Sequence, residues 1–365
     1  MKISEKIAAF EAQGKTFYSF EFFPPKTDFG RDNLYSRIDR MASLHPAFID
    51  VTWGAGGSTA DKTLDMCKTI QKYFGLEVMM HLTCTNMAVS SLNKILKDAK
   101  GSDLSNILAL RGDPPEGSHN WEQHADGFFY GIDLVRYIRK EFGDYFCLGV
   151  GGYPDGHHEQ SDIDIDIKYL NEKVDAGADV VVTQLFYDID KFLNFRDKCM
   201  KAGIKVPIIP GIMPIHNYAR FLKFTQFCKV SIPISVSKKL ESIKDDDSSV
   251  INYGIDQASE MGKKLIEEGV PGLHFYTLNL EHSVSEILRS LDLVSSRGVI
   301  KELPWRQSTL DDRKIAEDVR PIYWSNRPVS YLTRTENWDN FPNGRWGDIT
   351  SPTFGELNQY HAIRA

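Results

Sequence analysis

The sequence lacks the features that define several large classes of protein. No apolar run approaches the roughly 20 residues that a helix needs to span a bilayer. Charged residues interrupt the first fifteen positions, so these positions lack the continuous apolar core of a signal peptide. Lysine and arginine (43) do not exceed aspartate and glutamate (50), which argues against nucleic acid or an anionic membrane as a partner. These absences favour a cytoplasmic protein that acts on small molecules.

Cysteines and metal-binding motifs are also scarce. The five cysteines are scattered and odd in number, and none belongs to the close pairs that hold zinc or perform dithiol chemistry. We expect reduced, mostly buried thiols. His157, His158 and Glu159 are adjacent, but neighbouring loop residues usually point in different directions and no second ligand pair has helical spacing. The sequence therefore predicts no metal site.

A short apolar run, a polar or Gly/Pro-rich loop and a longer stretch of helical periodicity recur in that order eight times. Near-continuous apolarity is typical of parallel strands that are covered on both faces, and strands that alternate with helices indicate a parallel sheet. The apolar runs are Phe17–Phe23, Phe48–Trp53, Leu76–Cys84, Asn106–Arg111, Cys147–Tyr153, Asp179–Phe186, Val206–Met213 and Gly272–Asn279. The amphipathic stretches between them include Leu34–Leu44, Lys62–Phe74, Ile132–Phe142, Ile167–Ala176, Lys191–Ala202 and Gln257–Glu268.

Eight such units permit closure into a (β/α)8 TIM barrel, which usually needs about 250 residues. An open doubly wound sheet, the weaker alternative, more often has about five or six strands and a glycine-rich first turn. Phe23-Pro24-Pro25 follows the first strand instead, so a Rossmann dinucleotide site is not expected. The periodicity breaks after Val294. We therefore assign residues 1–295 to a catalytic barrel, and residues 296–365 to a linker that enters a further, absent domain.

Glu21 is the strongest candidate for chemistry, because the C-terminal strand ends and the loops that follow them face the active site of such a barrel. It lies within the apolar strand Phe17–Phe23, where an ionised carboxylate would lose most of its hydration. Such surroundings raise the pKa of a carboxyl group, which makes Glu21 a candidate general acid near neutral pH. A strand-end carboxylate paired with a lysine or an arginine is the equally weighted alternative.

Other strand ends carry further polar candidates. After the apolar run Asn106–Arg111, Gly112 permits a close approach of the backbone to a ligand, and two prolines stiffen the chain that follows Asp113. These features would hold the charge of Asp113 in a fixed place beside a ligand. The alternative is that Asp113 forms an ion pair with Arg111 inside the loop. Gln184 lies in an apolar run, and because a buried amide without partners is costly, it either binds a ligand or ties neighbouring strands. The remaining polar strand-end residues include Thr52, Trp53, His81, Thr83, Tyr153, His274, Tyr276 and Asn279.

Several long motifs, in order along nearly the whole chain, carry a resemblance to a known family. They are Ser19–Thr27, His81–Cys84, Leu110–Pro114, Gly152–Pro154, Asp175–Ala178, Thr183–Phe186, Pro210–Pro214 and His274–Asn279. The chain resembles the methylenetetrahydrofolate reductase family in its eukaryotic form. That resemblance implies a barrel that reduces 5,10-methylenetetrahydrofolate to 5-methyltetrahydrofolate in a ping-pong reaction, with FAD as cofactor and NADPH or NADH as electron donor.

The resemblance also implies roles for individual residues. Glu21 would protonate folate N10 and so open the methylene bridge to an iminium, which accepts a hydride from the reduced flavin. Asp113 would lie near the flavin and the pterin, where its charge tunes the redox potential and stabilises the cation. Residues expected to bind FAD are Thr52, Trp53, His81, Arg111, Gly112, Asp113, Tyr130, Gly131, Tyr153, His157, His158, Glu159, Gln160, Asp166 and Lys173. Residues expected to bind folate are Asp113, Gln184 and Tyr276.

The sequence departs from the family pattern at two positions. Leu280 stands where some relatives place an arginine that contacts substrate, so that contact is not expected here. Gly131 stands where an alanine is common, and we expect this difference to be harmless. Eukaryotic relatives continue into a regulatory domain that binds S-adenosylmethionine, whereas residues 296–365 resemble only the linker and its first segment. We therefore expect a catalytic chain that this inhibitor does not affect.

Two other functions fit the same pattern. A flavin barrel of the proline dehydrogenase type would share the architecture and the cofactor but would not bind folate. A catalytically silent regulatory homologue would keep the fold without turnover. The choice between NADPH and NADH and the formation of a homo-oligomer are not legible in the sequence.

Overall fold

The computed structural model describes residues 1–54, 60–112, 124–157, 159, 160 and 162–294. Eight parallel strands form a closed barrel in chain order, from β1 to β8 and back to β1, with helices between them. The predicted (β/α)8 TIM barrel is therefore confirmed, and each strand lies within one of the eight predicted apolar runs. The strands are β1 (Phe17–Phe22), β2 (Phe48–Val51), β3 (Val78–Thr83), β4 (Asn106–Leu110), β5 (Cys147–Gly152), β6 (Val180–Leu185), β7 (Ile208–Ile212) and β8 (Gly272–Tyr276).

Polar side chains cap several of the helices where they begin. Asp162, Asp188, Asn217 and Asp246 each accept a hydrogen bond from a backbone N–H in the first turn of the helix that follows. No helix in the described part of the chain combines the length and the apolarity that crossing a bilayer requires. The helices are α1 (Ile3–Ala12), α2 (Asp28–Ala42), α3 (Ala60–Thr69), α4 (Val89–Lys100), α5 (Gly131–Phe142), α6 (Ile163–Asp175), α7 (Ile189–Lys201), α8 (Tyr218–Phe227), α9 (Ile234–Ile243), α10 (Asp247–Glu267) and α11 (His282–Ser290), and a π-helical turn (Ile70–Phe74) continues α3.

The chain divides into two compact units. Residues 1–24 and 46–278 form the first, which contains the whole barrel, and residues 25–45 and 279–365 form the second. In the described part of the second unit, Arg40 of α2 pairs with Glu281, whose Oε2 lies 2.7 Å from Nε and 2.6 Å from Nη2. Both side chains are buried, and each charge compensates the other, so neither is left unpaired away from water.

The N-terminal end of the barrel is closed by an apolar layer. Side chains from seven strands, β1 to β7, pack there with Ile3 and Ile7 of α1, which are fully buried. Burying each isoleucine contributes about 1.5–3 kcal/mol. The backbone N–H of Ile3 donates to Asn106 Oδ1 at 2.7 Å, which fixes α1 across this end. Hydrophobic packing therefore holds one end of the barrel and leaves the other for polar groups.

Strand register brings the polar residues of the C-terminal end to one level. Glu21 of β1 pairs in register with Asp50 of β2 on one side and with Tyr276 of β8 on the other. Side chains alternate between faces along a strand, so Phe17, which packs in the interior layer, shares its face with Glu21. The alternation places Glu21 inside the barrel, above the apolar layer.

Candidate functional site

Four ionisable side chains converge inside the C-terminal end of the barrel. His81 Nε2 lies 3.3 Å from Asp50 Oδ2 and 3.6 Å from Glu21 Oε2. His274 Nε2 lies 3.8 Å from Glu21 Oε2 and 3.9 Å from Asp50 Oδ2. We call Glu21, Asp50, His81 and His274 the acid–base cluster. It joins two carboxyl groups and two imidazoles from four neighbouring strands, β8, β1, β2 and β3.

Glu21 occupies the most accessible place in this cluster. Its side chain is 19% exposed, whereas those of Asp50 and His274 are fully buried. Among the described residues its ion-pair partners within 4.0 Å are the two imidazoles, so the alternative of a lysine or arginine partner finds no support there. Thr277 Oγ1 donates to the Glu21 carbonyl oxygen at 2.6 Å and fixes the backbone. A ligand in the barrel mouth can therefore reach this carboxyl group.

The two imidazoles have different environments. Burial lowers the pKa of His81, but a hydrogen bond with Asp50 and the charges of Glu21 and Asp50 outweigh burial, and the pKa is raised. His274 is held through Nδ1, which lies 2.9 Å from Ser19 Oγ. Its Nε2 is buried without a hydrogen-bond partner among the described residues and is directed towards the two carboxyl groups.

The same atoms could suit a cation, since ligand atoms of Glu21, Asp50 and His81 all lie within 4.8 Å of one another. However, His81 Nε2 and Asp50 Oδ2 are in direct hydrogen-bond contact at 3.3 Å, so these two atoms form an acid–base pair without an ion. We therefore interpret the cluster as a proton-sharing network.

Two of the residues predicted to bind folate, Tyr276 of β8 and Gln184 of β6, lie within the described chain. The Tyr276 hydroxyl donates to the Thr183 carbonyl oxygen at 2.6 Å, and burial together with the charges of Glu21 and Asp50 raises its pKa well above the usual value. Gln184 Oε1 accepts from the Leu185 backbone N–H at 3.0 Å, beside a register shift between β6 and β7. Gln184 thus bonds to its own strand in the described structure, and its role in binding folate stays a prediction.

A second group of predicted site residues lies on the loops after β4 and β5. Arg111 makes a bidentate pair with Glu159, with both N–O distances at 2.7 Å, and this hydrogen bonding raises the pKa of Arg111. The Tyr153 ring contacts His157 edge-on, with 4.7 Å between centroids, and His157 forms an isolated bridge with Gln160. The clamp between Arg111 and Glu159 ties the two loops together.

Two more predicted residues, Asp166 and Lys173, lie two turns apart on the same side of α6. Burial raises the pKa of Asp166 to about 6, although the charge of Lys173 opposes the change. Burial lowers the pKa of Lys173, Asp166 raises it, and repulsion by Arg111 lowers it further. Arg111 and Lys173 are thus close enough to repel each other, while Glu159 offsets the charge of Arg111 and Asp166 offsets that of Lys173.

Three local features fit a bound flavin dinucleotide. Trp53 Nε1 is buried and has no hydrogen-bond partner within the described residues, so it offers a donor. Gly112 has φ +95°, and a Cβ there would lie 2.7 Å from Thr83 Cβ. Gly131 begins α5, where a Cβ would lie 3.3 Å from the Arg111 backbone nitrogen, so an alanine would require a small shift. The indole donor of Trp53, the cations Arg111 and Lys173, and the backbone N–H groups at the start of α5 are suitable partners for rings and phosphates.

The remaining predicted residues are placed as follows. Thr52 follows β2, and its carbonyl oxygen accepts from Thr63 Oγ1 at 3.0 Å. Tyr130 precedes α5 and is exposed. Asp113 and His158 lie outside the described residues, so their roles stay predictions, and so does the alternative pairing of Asp113 with Arg111.

Sequence reasoning missed Asp50 and Ser19 as members of the site. Both lie inside apolar strands rather than at their ends, where the search for polar residues was directed. The signal was present, because a carboxylate within the four-residue strand Phe48–Val51 is costly to bury without a partner. Only the register, which sets Asp50 opposite Glu21 and Ser19 opposite His274, shows what these residues contact.

Comparisons with known proteins bear on the family and the fold of the chain. The family model described as methylenetetrahydrofolate reductase matches residues 5–292, and the model of that family's SAM-binding regulatory domain matches residues 300–364. A solved structure described as an uncharacterized protein from Clostridium thermocellum that binds two copies of 5-methyl-5,6,7,8-tetrahydrofolic acid covers 80% of this chain and 98% of its own, with a TM-score of 0.55 and 16% identity. That likeness supports the barrel fold.

Curated relatives are much closer in sequence. A probable methylenetetrahydrofolate reductase (NADH) of Oryza sativa subsp. japonica is 49% identical over 100% of this chain and 63% of its own length. Methylenetetrahydrofolate reductase 2 of Saccharomyces cerevisiae is 47% identical over 98% of this chain and 62% of its own length. The Escherichia coli 5,10-methylenetetrahydrofolate reductase is 40% identical over 74% of this chain and 88% of its own length. The chain thus spans less than two thirds of the two eukaryotic relatives, and it belongs to the methylenetetrahydrofolate reductase family.

Proposed function

We propose that this chain reduces 5,10-methylenetetrahydrofolate to 5-methyltetrahydrofolate with NADPH or NADH, through bound FAD and in a ping-pong reaction. The observation that carries the proposal is the mostly buried Glu21 carboxyl group between two imidazoles at the mouth of the barrel. Family membership supports it, as do relatives named for NADH and for NADPH. The folate described for the Clostridium thermocellum protein supports a folate ligand.

The residues expected to hold FAD surround the loops after β2, β4 and β5 and extend onto α6. Arg111 and Lys173 supply positive charge for the phosphates, and Trp53 Nε1 supplies an unused donor. When bound, FAD would carry two electrons from the nicotinamide to the folate. The clamp between Arg111 and Glu159 keeps the two loops in place while nicotinamide and folate use the site in turn.

Glu21 performs the acid step in this proposal. It gives a proton to folate N10, the bond from N10 to the methylene carbon breaks, and its electron pair stays on N10. The methylene carbon remains on N5 as a cation and receives a hydride, which yields the 5-methyl group. Overall, one hydride from the nicotinamide and one proton are consumed. Asp113 would stabilise the cation, and Gln184 and Tyr276 would hold the pterin in the barrel mouth.

Absorption of the purified protein tests the proposal against its alternatives. We expect a flavin band near ~450 nm that bleaches when NADPH or NADH is added without oxygen and recovers when 5,10-methylenetetrahydrofolate follows. Recovery must be accompanied by 5-methyltetrahydrofolate in the product mixture. Bleaching by proline would indicate an amino-acid dehydrogenase, and a flavin that neither nucleotide bleaches would indicate a catalytically silent homologue. Either result would contradict the proposal.

A further inference from the structure

Asp50 is the member of the acid–base cluster that no catalytic role yet explains. Its side chain is fully buried on β2, with Oδ2 at 3.3 Å from His81 Nε2, while Oδ1 has no hydrogen-bond partner among the described residues. A carboxylate removed from water costs several kcal/mol unless it is paired. Since the His81 imidazole is its nearest partner, the negative charge of Asp50 favours a positive charge on that imidazole.

The groups that face Asp50 come from every element around it. Glu21 faces it from β1, His81 from β3, and His274 and Tyr276 from β8. Cys67 faces it from α3, where burial and the charge of Asp50 raise the thiol pKa well above its usual value. Lysine and arginine are absent from this set, so within the described residues the cluster's positive charge comes from protons on its imidazoles.

We infer that Asp50 is a positioning residue whose buried negative charge keeps a proton on the pair formed by His81 and Glu21 at neutral pH, ready for the reduction of folate. The inference rests on the proposed function and extends it to the supply of the proton. His81 Nε2 lies between the two carboxyl groups, 3.3 Å from one and 3.6 Å from the other. Such a cluster titrates as a unit, and each added negative charge increases the number of protons that it holds.

The charge of Asp50 acts on the pair through His81. It attracts a proton to His81, because the imidazolium is the cationic form, and Glu21 Oε2 lies 3.6 Å from the His81 nitrogen that carries this proton. Without that charge the pair loses its proton at a lower pH. The step that needs a proton, transfer to folate N10, then slows at neutral and alkaline pH, whereas hydride transfer from the nicotinamide does not draw on Glu21.

The test compares Asp50→Asn with the wild-type holoenzyme in each half-reaction between pH 6 and pH 9. We expect the alkaline limb of flavin reoxidation by methylenetetrahydrofolate to move about one pH unit lower, so that the rate above neutral pH falls about tenfold. At pH 6 the two rates converge, and flavin reduction by the nicotinamide is unchanged throughout. A rate that is reduced equally at every pH, or a profile that superimposes on the wild type, would overturn the inference.

Two controls separate a positioning role from other causes. Asp179→Asn removes a carboxylate at the start of β6, where it pairs with Arg139 at 2.6 Å, and it should leave the profile in place. Dialysis against a chelator should also change nothing; a loss that zinc restores would contradict the inference and indicate a cation site. NMR titration of the His81 imidazole in the holoenzyme should show a lower pKa in Asp50→Asn. This last measurement decides about Asp50 even if the wild type fails to reduce folate, a failure that would refute the proposed function instead.

Discussion

Individual residues in this barrel owe their properties to burial more than to sequence neighbours. Within the acid–base cluster, Asp50 and His274 are fully buried, whereas Glu21 is partly exposed. The raised pKa of His81 shows that nearby carboxyl groups outweigh the effect of burial. At this scale the site is a small set of charges that compensate one another inside an apolar barrel.

Asp166 gives a pH prediction at the same scale. Its pKa in the folded chain is about 6, above that of an unfolded chain, so the folded state keeps this proton to a higher pH. Stability should therefore fall as pH rises from about 4 to about 6, by on the order of 1–2 kcal/mol after allowance for solvent screening. Asp166→Asn should remove this slope in urea unfolding of the flavin-free protein. Asp164→Asn, an exposed neighbour on α6, is the matched control, and equal slopes in the Asp166 variant and the wild type would refute the assignment.

At the scale of elements, β6, β7 and β8 meet in a contact that only glycine allows. A Cβ on Gly211 would lie 2.5 Å from both the Thr183 carbonyl oxygen and Tyr276 Cε2. The Tyr276 hydroxyl donates to that carbonyl, and its ring passes close to Gly211. The glycine of the Pro210–Pro214 motif therefore has a packing role that places a predicted folate residue.

Gly211→Ala should displace the Tyr276 ring. We expect the free energy of unfolding to fall by about 1–3 kcal/mol and the Kd for methylenetetrahydrofolate to rise, because the added methyl group has backbone on one side and the ring on the other. Tyr276→Phe keeps the ring and loses only the hydrogen bond, so it should cost about 0.5–1.5 kcal/mol. Urea unfolding and folate titration measure both effects. If Gly211→Ala kept the stability and the folate affinity of the wild type, the prediction that Gly211 packs tightly against the Tyr276 ring would be wrong.

The elements were predictable to different degrees. All eight strands could be predicted, because strands covered on both faces form continuous apolar runs. The predicted runs extend past the ends of several strands: Thr52 and Trp53, for example, follow the last residue of β2. Helix α10 begins at Asp247, earlier than its apolar pattern indicated, because Asp246 caps it from a stretch that is polar enough to resemble a turn. Asp50 was missed because its partners come from other strands, and one chain without register does not reveal them.

At the scale of the whole molecule, the two ends of the barrel differ: apolar packing stabilises one end, and the candidate catalytic groups lie at the other. Interior packing around Ile3 and Ile7 holds the barrel at its N-terminal end, and the acid–base cluster occupies the opposite end. The strand pattern alone predicts the barrel and makes Glu21 a candidate general acid, with a carboxylate paired to a lysine or an arginine as the equal alternative. Flavin and folate could be named only through the family motifs, because neither ligand leaves a distinctive spacing in the sequence.

The half-reactions of Glu21→Gln test the account most directly. Glutamine keeps the size of the side chain but cannot donate a carboxyl proton, so flavin reduction by NADPH or NADH should match the wild type. Reoxidation of that flavin by 5,10-methylenetetrahydrofolate should be slower by on the order of 100-fold or more in anaerobic stopped-flow measurements. Reoxidation by the variant at close to the wild-type rate would contradict the central claim that Glu21 supplies the proton.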